Sequence, residues 1–314
     1  MIPRWWQKTG YSANRVAGCL ASSRRRGKIA PMRVLAAGLA PALVAGLIAT
    51  LPHRAGADPS LAEREALIEK ALEARPEDPE LHLQRALVQR ARASWDAAAA
   101  SYLRAAALGA DRDQTAVALA QVFLEAGFPR TAEMQLQSVL ERKPEDVDAR
   151  ITRARVLGVL GKSEAAADDF QRGVALLARP DPGLVREAMD AQLAAGRSER
   201  ALQVADAAMQ KIGTVVSVQL PAIEIEQQLG RSDAALARID ALLVQAPRHE
   251  TWIARRGEIL ERAGRVDEAR ATYEYALALI QERPAKRRSE KIAQLERRLR
   301  SKLGERKPED EELP

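Results

Sequence analysis

Five glycines, Gly127, Gly161, Gly196, Gly230 and Gly264, follow one another at intervals of 34, 35, 34 and 34 residues. A fixed period of that length commits a chain to stacked supersecondary units rather than to one closed core. Other positions keep the same register. Ala132, Ala166, Ala201, Ala235 and Ala269 each come five residues after a glycine. Leu136, Phe170, Ile239 and Tyr273 come nine after, with Ala205 breaking the run of bulky residues. Pro144, Gly213 and Pro247 come seventeen after, each a helix stop. One interval earlier Ala93 falls in the glycine slot, with Ala98, Tyr102 and Ala105 in step behind it.

The units are helical. Only 4% of the 314 residues are aromatic, and Ala, Leu, Glu and Arg dominate, which disfavours sandwiches, barrels and wound sheets. Each glycine lies just past an apolar helical pattern, where a left-handed residue ends a helix without a Cβ penalty. Ser163, Ser198 and Ser232 follow two residues later as predicted N-caps of the next helix, with Glu164, Glu199 and Asp233 close to its dipole. Pro129 suits the first turn of its helix.

This register resembles the tetratricopeptide repeat, a helix–turn–helix unit, and the chain is identified as a member of that superfamily. The Trp usual at the fourth position is replaced by residues such as His82, Ala116 and Arg150, while Ala86, Ala120, Ala154 and Gly257 keep the small eighth position. The resemblance implies an all-α fold, a right-handed α-solenoid of about six repeats closed by a C-terminal capping helix. Repeats are expected at 79–112, 113–146, 147–181, 182–215, 216–249 and 250–283, after a partial repeat over 60–78. A basic capping helix is expected over 284–303 and an acidic, disordered tail over 304–314. Two irregularities stand out. Pro221 predicts a helix that starts late, near Ser217, or kinks. Asp181-Pro182-Gly183 holds a one-residue insertion, expected to stay in the loop.

The charge divides sharply. Residues 1–57 hold nine Lys/Arg and no acid, leaving 40 basic against 43 acidic residues in 58–314, so the overall charge of +6 belongs to the leader. A nucleic-acid partner is therefore not expected. Val34 to Leu51 is an uncharged apolar run of 18 residues, preceded by Arg24–Arg33 and followed by Ala55-Gly56-Ala57. That is the order of a secretory signal peptide. Translation from Met32, cleavage after Ala57 and export, most simply to a bacterial periplasm, are expected. The alternative is an uncleaved signal anchor, with the repeats on the same outer side of the inner membrane. Membrane contact is expected only in that case. Val16-Ala17-Gly18-Cys19 spells a lipobox but lacks the apolar segment that should precede it.

Catalytic constellations are missing, and no enzyme, cofactor or metal is expected. Cys19 is the one cysteine, and His82 and His249 stand in different repeats without ligand spacing. Gly161-Lys162-Ser163 ends like a phosphate-binding loop, but Val156 stands where the first glycine is required and no strand precedes it.

A binding surface is the better expectation. The resemblance places ligands on the face lined by the first helix of each repeat, and its ninth position gives Leu87, Gln121, Arg155, Asp190, Glu224 and Glu258, with Glu261 beside the last. Asp190, Glu224 and Glu258, one per repeat, form a carboxylate ladder suited to a protein or peptide partner with a basic segment. A candidate basic surface lies on the capping helix at Arg287, Arg288, Lys291 and Arg298, through which self-association is a further alternative. The family's carboxylate-clamp mode uses Asn, and residues 58–314 contain none. Oligomeric state stays open.

Overall fold

The computed structural model describes residues 60–246, 249–284 and 289–304. The leader and its Val34–Leu51 run, Pro247, Arg287, Arg288 and the segment after Gly304 lie outside them. Among the described residues there are fourteen α-helices and no strand. They are α1 (Leu61–Ala74), α2 (Pro79–Ala91), α3 (Trp95–Ala107), α4 (Arg112–Glu125), α5 (Pro129–Arg142), α6 (Val147–Val159) and α7 (Ser163–Leu176). Then come α8 (Pro182–Ala194), α9 (Ser198–Ile212), α10 (Val216–Gln228), α11 (Ser232–Gln245), α12 (Glu250–Arg262), α13 (Val266–Gln281) and α14 (Glu290–Leu303). The fold is an all-α tetratricopeptide-type solenoid.

The chain divides between Gly127 and Phe128 into two compact units. In the first, α1 packs on α2, α2 on α3 and α3 on α4, around Ile68, Ala71, Leu72, Leu81 and Val88. In the second, each helix from α5 to α14 packs on its sequence neighbour, and α7 meets α9 as α8 meets α10. Two core clusters fill it, one around Phe170, Met189 and Ala205, the other around Ile239, Tyr273 and Leu299. Contacts confined to near neighbours make stability nearly a sum over adjacent repeats.

The turns follow from backbone chemistry. Gly127, Gly161, Gly196, Gly230 and Gly264 all have φ between 72° and 83°, the left-handed conformation expected from their place after each first helix. Ala93, in the same slot, has φ 56° and is the one non-glycine with positive φ among the described residues.

The predicted serine caps are a correction. Ser163, Ser198 and Ser232 are the first helical residues, and the capping positions belong to Lys162, Arg197 and Arg231, without a side-chain cap bond. A cation cannot accept from a helix N–H, so these side chains turn elsewhere. Each reaches a carboxylate on the preceding second helix: Lys162 to Glu133 at 2.7 Å, Arg197 to Asp168 at 2.7 Å, and Arg231 to Glu199. Arg265 repeats the pattern with Asp233 at 3.1 Å. Glu199 and Asp233 therefore tie neighbouring repeats together rather than simply answering a helix dipole.

Side-chain oxygens do cap the first helices. Asp78, Asp111, Asp146 and Asp181 each accept from backbone N–H groups of α2, α4, α6 and α8. Of the three residues that hold the insertion only Asp181 stays outside a helix, because Pro182 and Gly183 form the first turn of α8. Pro221 is accommodated inside α10, which begins at Val216, one residue before the expected start.

Candidate functional site

The sequence-derived groove residues sit on the first helices of their repeats: Gln121 on α4, Arg155 on α6, Asp190 on α8, Glu224 on α10, and Glu258 and Glu261 on α12. Two hollows of the second unit open on this face. One, about 1150 Å³, lies between α10 and α12 over the start of α11, with Glu224, Gln228, Glu258, Arg231, Arg255 and Arg262 among its walls. The other, about 380 Å³, lies between α6 and α8 over α7, where Ala154, Gly158, Ala191 and Phe170 line it beside Arg155, Glu187 and Asp190.

Most of the charge here is answered between repeats. Arg155 donates to both carboxylate oxygens of Glu187, at 2.7 and 3.0 Å. Glu224 accepts from Arg255 at 2.8 Å. Glu258 meets Arg298 of α14 at 3.3 Å, and Glu261 accepts from Lys302 of the same helix at 2.7 Å. In the first unit Arg90 donates to Glu125 at 2.9 Å and to Gln121 at 2.6 Å. The Glu125 carboxylate raises the Arg90 guanidinium above its ordinary value.

The pairing has a rule. The ninth residue of one repeat meets the sixth of the next: Arg155 with Glu187, Glu224 with Arg255. Asp190 is also a ninth residue, but the matching sixth residue is Pro221, which has no charge to offer. Asp190 is exposed and has no hydrogen-bond or ion-pair partner among the described residues. Of the three expected carboxylates, only this one is open.

On α14, Arg298 is exposed and pairs with Glu258, whereas Lys291 is exposed and without a partner among the described residues. Leu295 and Leu299 are buried against the last repeat.

Sequence reasoning missed the polar centre of the third repeat. Arg150, at the family's Trp position, is buried, and its Nη1 donates to Asp169 at 3.1 Å. Asp169 also accepts from Arg153 Nε at 2.6 Å. A carboxylate between two arginines sixteen to nineteen residues away leaves no local pattern to read. His82 is likewise structural: its Nε2 lies 3.0 Å from the Pro76 carbonyl, and its Nδ1 lies 3.1 Å from Arg85. Among the described residues no group of three His, Cys, Asp or Glu is placed to hold a metal, and no helix is long and apolar enough to cross a membrane.

Period, turns and grooves define a helical-repeat scaffold. A tetratricopeptide repeat family matches residues 117–185 and 222–285. Over these two stretches the chain carries tetratricopeptide repeats. The C-terminal part of a TPR repeat-containing protein from Cytophaga hutchinsonii is similar in structure, with a TM-score of 0.57 and 15% identity over 82% of this chain and 99% of that one. PilF of Pseudomonas aeruginosa has a TM-score of 0.48 and 18% identity over 66% of this chain and 90% of its own. A tetratricopeptide repeat protein from Parabacteroides merdae has 0.46 and 14% over 82% and 96%. At such identities the first shows the fold alone. Comparison with curated proteins returned no match.

Proposed function

We propose that this protein is an exported, non-catalytic scaffold that holds a protein or peptide partner and supports assembly of an envelope or secreted complex. The observation that carries the binding role is the pair of hollows between successive first helices, walled by charges of both signs. Repeat scaffolds of this superfamily generally bind proteins or peptides through such surfaces. Export rests on the leader: a basic stretch, an uncharged run from Val34 to Leu51, and Ala55-Gly56-Ala57.

A photo-crosslinking residue at Gln228, which lines the larger hollow, tests the binding role; the same residue at Val244, exposed on α11 outside it, is the control. Capture from Gln228 alone supports the scaffold, and equal capture from both sites refutes groove binding. The mass of the natively produced protein tests export. A chain beginning at Asp58 supports cleavage, and one retaining Val34–Leu51 supports an anchored assembly factor. That second reading is favoured by the length of the uncharged run, which suffices to span a bilayer.

A further inference from the structure

Building on the scaffold reading, we propose that the hollow between α6 and α8 is a subsite for a peptide segment bearing one basic side chain beside one apolar side chain. Both halves of that description come from the walls. The neighbouring ninth-position charges are neutralised within the chain, by Glu187 at Arg155, Arg255 at Glu224 and Arg298 at Glu258. At Asp190 the chain supplies Pro221 instead. Arg186, one turn earlier on α8, is exposed and makes no pair with Asp190. Glu187 gives both oxygens to Arg155, so the hollow keeps one unanswered negative charge. An arginine or lysine from a partner completes the pair that Arg255 completes at Glu224.

The apolar half is set by small side chains. Ala154, Gly158 and Ala191 leave the space open down to Phe170, itself 5% exposed. Val159 stands at the rim with 67% of its surface in water, an apolar area that a leucine-sized side chain covers. The volume, about 380 Å³, lies at the lower end of the roughly 300–1,000 Å³ typical of ligand pockets. That suits one or two side chains rather than a folded domain. An acidic segment is repelled by the same carboxylate.

The test uses the full chain and fluorescence anisotropy. The probes are short alanine–serine peptides carrying one arginine and one leucine at spacings of one to four residues. Controls replace the arginine by glutamate or the leucine by serine. One spacing is expected to bind, and each control to weaken it about three- to tenfold. Asp190→Arg reverses the charge; Pro221→Arg supplies the missing partner in cis, and each is expected to weaken binding about tenfold. Pro221→Ala, which removes the proline without adding a cation, keeps binding. Asp190→Asn serves if either arginine variant loses its helical circular dichroism. Binding that ignores the variants, or accepts glutamate for arginine, overturns the subsite. So does absence of binding by every peptide, while capture at Gln228 reads the scaffold role independently.

Discussion

The Tyr273 hydroxyl donates to the Glu261 carboxylate across 2.8 Å, joining the second helix of the sixth repeat to its first. Lys302 of the capping helix binds the same carboxylate at 2.7 and 3.0 Å. Burial, with Glu261 beside it, pushes the phenol well above its ordinary value, so it remains a donor. One carboxylate thus fastens both the last repeat and the helix that closes it.

The capping helix should therefore loosen in acid. Lys302, and then Tyr273, hold Glu261 below its ordinary value of 4.5. A depressed carboxylate contributes stability above the unfolded value and loses it as pH falls through the folded one. Protection against hydrogen exchange in α14, taken relative to the intrinsic rate at each pH, should fall below about pH 4.5. Glu261→Gln should produce the same change at neutral pH, at a cost of about 0.5–1 kcal/mol for so exposed a pair. Exchange in α14 unchanged by both would exclude this fastening.

Gly257→Ala should destabilise the sixth repeat by about 1–3 kcal/mol. A Cβ there would lie 2.4 Å from Tyr273 Cε1, with the ring boxed in by the core. Tyr273→Leu in the same background should recover part of the loss. Urea unfolding of the single and double variants measures both.

Ala93→Gly should stabilise the first unit by about 0.5–1 kcal/mol. An L-residue in the left-handed region costs about 1–2 kcal/mol, partly offset by the extra freedom glycine has when unfolded. Gly161→Ala, at φ 72°, should move the other way by about 1 kcal/mol. A fall in the urea midpoint of Ala93→Gly would contradict the account.

Asp169→Ala should cost about 3 kcal/mol, since it strands Arg150 in the core without its carboxylate. Arg155→Ala, which breaks the exposed pair with Glu187, should cost about 0.5 kcal/mol or less. Comparable losses in thermal unfolding would show that burial does not separate the two pairs.

The helical-repeat fold was legible because its signals are local and recur. Glycines past most first helices are favoured by backbone sterics, and the structure finds them left-handed. The exception at Ala205 was visible as an exception only. Its reason is volume: small residues at the eighth position face bulky ones at the twenty-fourth, as Gly257 does Tyr273. In the fourth repeat the sizes are exchanged, with Met189 and Ala205 fully buried in one cluster.

The site was legible only as positions. Asp190, Glu224 and Glu258 stand one repeat apart, yet which of them is open depends on side chains 31 to 40 residues away. Arg298 remains exposed on α14, and what the sequence could not show is its ion pair with Glu258.

By itself the sequence determined the period, the helical class and the turns, because helix ends and small contact residues obey rules acting within a few residues. The tertiary structure decided where charge remains unanswered. A long arginine on one repeat chooses among carboxylates on the next, and a single proline at 221 leaves Asp190 unmatched. That choice depends on the approach of two helices, which no stretch of sequence contains alone.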